Sequence, residues 1–458
     1  MEQQFRVVKR SIDARQKQLK VHLTVLTDEH GAPLPKDAPI PLYEPPHFQD
    51  VHNAEHSVAI IGAGPAGLFA ALTLIEHGIR PIIYERGKEV ADRKKDIATL
   101  NRNQGLNAES NYCFGEGGAG TFSDGKLFSR SKKRGNMQRV MELFHHFGGD
   151  DRLLYEAHAH IGSDKLPTII RRMRECIIEH GGEIHFSTCV DESLFRSLIN
   201  HTTRHHSALN SSLEGRMGGS FPLLGIILAI GHSAHDTYQM LMDEGVLLED
   251  KGFAMGVRAE HPQDLINRLM YHDPSPELVK LLGNASYSLV TQVQGRGVYS
   301  FCMCPGGTVV PAATDSAQVV VNGMSASHRS GAWSNSGMVV ETRVEDIDGE
   351  LRPFMQEALQ DEDFAVQYQG MTKSDHPLCM MAFQAALERA TWIQGGRRQV
   401  APAQRMADFV NRRLSADLPA SSYSAGLIAS PLHFWMPRFV VTRLAEGFKK
   451  SLLLSDCN

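Results

Sequence analysis

Short apolar runs alternate with amphipathic segments along most of this chain, and the alternation predicts an α/β fold. Val58-Ala59-Ile60-Ile61 is an apolar run that stops at a glycine, the pattern of a strand buried on both faces of a parallel sheet. Residues 66–77 follow with apolar positions at helical spacing and end at Gly78, a residue suited to a helix C-terminus. Arg80-Pro81 then leads into Ile82-Ile83-Tyr84, a second strand that closes a β-α-β unit.

The pattern continues downstream. Residues 166–180 read as an amphipathic helix closed by Gly181-Gly182, Ile184-His185-Phe186 as a strand, and residues 223–229 as an apolar strand ending near Gly231. From about 245 to 323 the chain is β-rich, with runs at 297–301 and 319–321, and residues 383–394 and 403–413 have helical spacing. Residues 195–220 are polar and poorly patterned, which predicts an exposed insertion. Before the β-α-β unit, residues 5–8 and 21–26 suit short strands, residues 10–20 a charged helix, and the proline-rich stretch 33–46 an extended connector. The predicted layout is a small N-terminal α+β domain with connector (1–54), a Rossmann-like three-layer domain (55–240), a β-rich α+β domain covering the substrate (241–415), and an incomplete return toward the first domain (416–458). No internal repeat stands out.

Composition narrows the function. The chain has 47 Lys+Arg against 52 Asp+Glu, a formal net charge of −5, which disfavours a general nucleic-acid coat. Apolar residues at 42% and charged residues at 22% exclude a disordered or fibrous protein. Seven scattered cysteines suit a reducing compartment rather than a disulfide framework. The first residues lack the apolar core of a signal peptide, and the longest apolar-looking stretch, 58–74, is interrupted by three glycines and a proline. The expectation is a cytoplasmic protein without a membrane segment, acting on a small molecule, with nucleic acid disfavoured as a partner and no metal site.

The chemistry concentrates in Gly62-Ala63-Gly64-Pro65-Ala66-Gly67. In a G-x-G-x-x-G turn the first glycine permits the tight turn, the second lets backbone approach a pyrophosphate, and the third lets helix pack close to strand. The helix then presents free N–H groups and its positive dipole end to the phosphates, with Pro65 and Ala66 at its start. The turn follows a predicted strand, opens a predicted helix and is followed by Glu85 at the tip of the next strand, where a carboxylate accepts ribose hydroxyls and disfavours a 2′-phosphate. A second glycine-rich loop, Gly115-Glu116-Gly117-Gly118-Ala119-Gly120-Thr121-Phe122-Ser123-Asp124-Gly125, points to the bulkier cofactor FAD, since an NAD site usually needs only the first.

The segments GAGPAG, ERGKEVADR, FGEGGAGTFSDGKL, LAIGHSAHDT, GRGVYSFCMCPGG, VVNGMSASHRSG, GGRRQVAPAQRMADF and LPASSY together resemble the largely uncharacterised bacterial FAD-dependent dehydrogenases, flavoproteins of the glutathione-reductase type. The resemblance runs from about Glu55 to Lys449. It implies FAD bound across the first large domain, Arg86 and Arg93 as cations near the phosphates, Gly118, Gly120 and Thr121 along the flavin, and Val190 contacting adenine through its backbone. Ala229-Ile230-Gly231 resembles the Ala-Thr-Gly turn of such flavoproteins, with Ile in place of Thr. Relatives continue for several tens of residues past a segment like 444–450, whereas this chain ends at SLLLSDCN, so a truncated or divergent ending is expected.

The resulting expectation is an FAD-dependent oxidoreductase, a dehydrogenase that transfers hydride to or from the flavin, with NADH or NADPH as candidate donor and no assigned catalytic acid or base. The alternatives are a truncated, impaired or non-catalytic flavoprotein and an FAD-dependent nucleic-acid-modifying enzyme. Weaker signals are Cys302 and Cys304, which share a face on a regular strand; His232, next to a helix start at Ser233 and Asp236; the loop histidines His201, His205 and His206; Arg296, Tyr299 and Arg329 as substrate-facing groups; and the basic run 130–134.

Overall fold

The computed structural model describes residues 3–4, 6–13, 19–27, 32, 34–35, 43–127, 135–203 and 223–450. The chain divides into two compact units, the first comprising Met1–Arg93, Phe114–His232 and Ala326–His328, the second Lys94–Cys113, Ser233–Ser325 and Arg329–Asn458.

The first unit opens with an antiparallel hairpin of β1 (Arg6–Asp13) and β2 (Lys20–Leu26). Residues 10–13 are strand, not the start of the expected helix. Tertiary pairing overrides the charge pattern here: Arg10 N donates to Tyr155 O, Ala157 N donates to Arg10 O, and the Arg10 guanidinium pairs with Glu156 at 2.6 Å. A four-stranded parallel sheet follows, built from β3 (Ser57–Ile61), β4 (Arg80–Tyr84), β5 (Glu183–His185) and β6 (Leu223–Leu228) in the order β5-β4-β3-β6.

This order places a switch point beside β3. The chain moves from β3 to β4 on one side and later returns to β6 on the other, so the strand order reverses at β3. In open α/β sheets ligands bind in the crevice at such a reversal. Helix α1 (Pro65–Glu76) leaves directly from β3 and buries Gly67, Leu68, Ala71, Leu72 and Ile75, the stripe expected from its apolar spacing. Helix α2 (Val90–Asn101) follows β4, and α3 (Leu166–Glu179) buries Ile169, Ile170, Met173 and Ile177 in the same core. The segment expected to be an exposed insertion begins inside α4 (Glu192–Thr203), whose Phe195 and Leu198 are buried one helical turn apart; residues 204–222 lie outside the described residues.

The second unit contains α5 (His235–Asp243) and an antiparallel sheet of β7 (Phe253–Pro262), β8 (Val290–Val293), β9 (Arg296–Cys304) and β12 (Trp333–Thr342), ordered β8-β9-β12-β7. A second pair, β10 (Thr308–Pro311) and β11 (Val321–Met324), is antiparallel. One face of the four-stranded sheet, including Ala259, Val298, Met338 and Val340, packs into an apolar core with α6 (Cys379–Gln394) and α7 (Arg438–Lys450). The helix expected over 403–413 is shorter, Met406–Asn411, because Ala401–Ala403 is a strand paired with Leu427–Ala429. No helix among the described residues is long and apolar enough to cross a membrane.

Candidate functional site

The site begins where the parallel strands end. Ile61 is in register with both Tyr84 and Leu228, so Gly62, Glu85 and Ala229 each emerge at the same level of the sheet. Gly62 has φ +106°, and a Cβ there would lie 2.4 Å from Ala229 O, so the turn out of β3 excludes a side chain on both counts. A Cβ on Gly67 would meet Gly62 O at 2.0 Å, which makes this glycine the condition for seating α1 on its strand. Gly64 differs: its missing Cβ faces open space, with Gly118 Cα at 3.9 Å as its one near neighbour. Gly64 is also the N-cap of α1, without a side-chain cap, and Pro65 and Ala66 open the helix.

The second glycine-rich loop lies against the first. Gly117 N donates to Ala63 O at 2.8 Å, and a Cβ on Gly120 would touch Pro65 Cγ at 3.1 Å. Glu85 joins the two loops. Its Oε2 accepts from Ala63 N at 2.7 Å, and its Oε1 accepts from Gly87 N and Gly115 N, both at 2.9 Å. Three backbone N–H donors converging on one buried carboxylate form a charge-assisted clamp, and Oε2 keeps a lone pair for a further donor.

Arg93 is completely buried beneath the second loop. Its guanidinium donates to Glu116 O at 2.7 Å, Gly118 O at 2.8 Å and Thr121 Oγ1 at 3.3 Å. Thr121 Oγ1 in turn donates to Glu116 O at 2.7 Å. Arg93 therefore holds Gly118 and Thr121 in place from below. Arg86, next to Glu85, stacks its guanidinium over the Phe114 ring at 4.4 Å. Val190 is buried beyond β5, and among the described residues its backbone N–H and C=O have no hydrogen-bond partner. On the other flank, Ala229 N donates to Ile61 O and Gly231 is exposed with φ +71°.

Residues 55–110 match an FAD-binding domain, and residues 252–452 match the C-terminal domain-like region of FAD-dependent proteins. Residues 2–27 match a domain of unknown function. Over 454 residues the chain is 35% identical to a protein of Clostridium beijerinckii described as uncharacterized, covering 96% of this chain and 78% of that protein. The chain belongs to this family of FAD-dependent proteins.

The residues of the first unit fit the family's cofactor. A dinucleotide needs room for its pyrophosphate at an uncapped helix start, and the space at Gly64 meets that need. It needs an acceptor at the adjacent strand tip, where Glu85 lies, and unpaired backbone groups for its adenine, which Val190 has.

Sequence reasoning missed Glu116. This buried carboxylate accepts from Val90 N at 2.8 Å and lies 3.0 Å from Arg174 Nε, while Arg174 also pairs with Glu89. Burial pushes the Glu116 carboxyl above its ordinary range, with the Val90 N–H and Arg174 opposing. The signal was present as an acid inside a glycine run, but its partners lie far apart in sequence.

The weaker candidates separate. The backbone is irregular between Phe301 and Cys304, and Cys302 has φ +49°, so Cys302 and Cys304 do not share a strand face as expected. Arg296 is paired with Asp346 at 2.6 Å, a structural ion pair. Asp236 is in the first turn of α5, and His232 is exposed. His201 lies in α4; His205, His206, the basic run 130–134 and the C-terminal SLLLSDCN lie outside the described residues. No cluster of metal-ligating side chains occurs among the described residues.

Proposed function

We propose that this FAD-dependent protein is an oxidoreductase of the dehydrogenase type, passing hydride between a small molecule and the flavin. The observation that carries the reading is the opening at Gly64: two glycine loops, tied together by one buried carboxylate, border open space at an uncapped helix start on a switch point of the sheet. When bound, FAD supplies the two-electron chemistry.

The chain's own residues bind and position. Gly62, Gly64 and Gly67, with the backbone of Pro65 and Ala66, receive the pyrophosphate, and the start of α1 stabilises its charge. Glu85 accepts a ribose hydroxyl at Oε2. Val190 offers an N–H and a C=O to adenine. Arg86 lends positive charge near the phosphates. Gly118, Gly120, Thr121 and Gly231 border the flavin side, with Arg93 fixing the loop that carries three of them. An acid at position 85 disfavours a 2′-phosphate in this crevice, and NADH or NADPH is the candidate electron donor to the flavin. The proposed working compartment is the cytoplasm, supported by the sparse, scattered cysteines.

Reconstituting the purified protein with FAD and recording its visible spectrum tests the reading. Paired flavin bands that survive gel filtration, and that bleach anaerobically with NADH or NADPH, are expected. Protein that elutes colourless after reconstitution favours the non-catalytic alternative. Bound flavin that reacts only in the presence of nucleic acid favours the nucleic-acid-modifying one.

A further inference from the structure

We infer that Arg258, on the face of the second unit's sheet opposite the core that contains Met338 and Val340, anchors the carboxylate of a small aromatic acid whose ring lies against Phe301. The inference names a substrate class for the oxidoreductase proposed above and rests on that reading only for calling the occupant a substrate.

Arg258, Gly337 and Phe301 stand in one row across three strands: Gly337 is opposite Arg258 on β7 and opposite Phe301 on β9. Directly paired residues project to the same face. Met338 and Val340, one and three residues along β12 from Gly337, belong to the helix-covered core, so the row occupies the other face. Gly337 contributes no side chain to the row. Arg258 Nη1 lies 3.5 Å from the carbonyl oxygen of Cys302, the residue after Phe301, and Phe301 is 62% exposed.

Arg258 has no acidic partner within salt-bridge distance among the described residues. Its nearest acid along the strand face, Glu260, is taken by the backbone N–H and hydroxyl of Ser422. Neutral carboxamides hold the guanidinium instead: Nη1 donates to Asn335 Oδ1 at 2.7 Å and Nη2 to Asn322 Oδ1 at 3.0 Å. Nε has no partner among the described residues, and neither it nor the Nη atoms are sealed from solvent without one. Half-buried guanidinium groups normally gain a carboxylate. Here two asparagines orient the fork and leave its charge unmet.

A second observation points to an occupant. Asn335 is fully buried, yet its Nδ2 has no hydrogen-bond partner, and the same holds for Ser325 Oγ nearby. Gly307 and Gly323 link these groups: a Cβ on Gly323 would overlap Asn335 Oδ1 and Arg258 Nη1, and one on Gly307 would approach Ser325 Oγ and Cys304 Cβ at 2.9 Å. Unpaired buried donors beside an unmet cation call for an acceptor-rich group. A single guanidinium matches a single negative charge, and its planar fork matches a carboxylate. The exposed ring of Phe301 supplies a surface for an aromatic body.

Isothermal titration of benzoate into the full-length protein tests this, with benzyl alcohol as the uncharged match and inorganic phosphate as the competing anion; flavin content is recorded separately. Benzoate is expected to bind, and benzyl alcohol to give no measurable heat. Arg258→Gln is expected to weaken benzoate about tenfold or more. Arg258→Lys, which keeps the charge without the fork, and Phe301→Ala, at an exposed position, are each expected to weaken it severalfold while preserving the thermal transition. Those two variants carry the test if Arg258→Gln fails to fold. Absence of benzoate binding, equal affinity in wild type and variants, or equal displacement by phosphate overturns the proposal. Loss of benzoate binding with normal flavin content leaves the oxidoreductase reading intact, and colourless protein that still binds benzoate does the reverse.

Discussion

Glu85 does more than its proposed role as a ribose acceptor requires. Its carboxylate draws the N–H groups of Ala63, Gly87 and Gly115 to one point, so a single side chain sets the spacing of both glycine loops. Glu85→Ala leaves three donors unmet in a buried site. A loss of about 1–3 kcal/mol is expected in urea unfolding of the flavin-free protein, together with loss of bound flavin at gel filtration. Glu388 makes a different statement. It is buried in α6, accepts from Gln384 Nε2 at 2.9 Å, and burial, reinforced by the charge of Asp315, pushes its carboxyl up to about 7 from an ordinary 4.5. Because its pKa is raised on folding, its contribution is fully present below about pH 4.5 and is lost as pH rises through about 7. Glu388→Gln is expected to remove this dependence. Between pH 4.5 and 8, denaturant unfolding should show wild type losing on the order of 3 kcal/mol relative to the variant.

At the scale of elements, the three glycines of the first turn divide their work. Gly62 and Gly67 are required by the protein itself, because neighbouring backbone occupies the place of a side chain. At Gly64 neighbouring backbone leaves room for a side chain, so under the proposed function it is the bound cofactor that requires glycine there. Gly67→Ala should therefore destabilise the flavin-free protein by about 3 kcal/mol or more through forced separation of α1 from β3. Gly64→Ala should leave its thermal transition within about a degree of wild type while weakening FAD by about tenfold or more. Equal destabilisation by both variants would remove the distinction. The second loop follows similar logic, with the buried cation of Arg93 replacing regular secondary structure as its support.

The two larger apolar cores among the described residues are each contained within one compact unit. Ile177 is fully buried in the first and Phe439 almost fully in the second. Truncating either to alanine is expected to cost about 2–5 kcal/mol. Differential scanning calorimetry should show Ile177→Ala and Phe439→Ala lowering different transitions, each belonging to the unit that lost its side chain. A single transition moved equally by both would show that the units unfold as one.

The β-α-β unit with its glycine turn and acid was legible from the sequence because its causes are local: buried strands read as apolar runs, helices as spaced stripes, and a glycine with positive φ announces a turn. Gly62, Gly64, Gly67 and Glu85 were identifiable for that reason. The tertiary structure alone decided what depends on partners distant along the chain. Residues 10–13 became strand because residues 20–23 pair with them and residues 155–157 bond the backbone of Arg10, Cys302 and Cys304 parted faces at an irregularity, and Arg296 found Asp346 while Arg258 found no acid among the described residues. Charge and polarity are written into single residues, but whether a charge is met, and what it is left to bind, depends on which segments folding brings together.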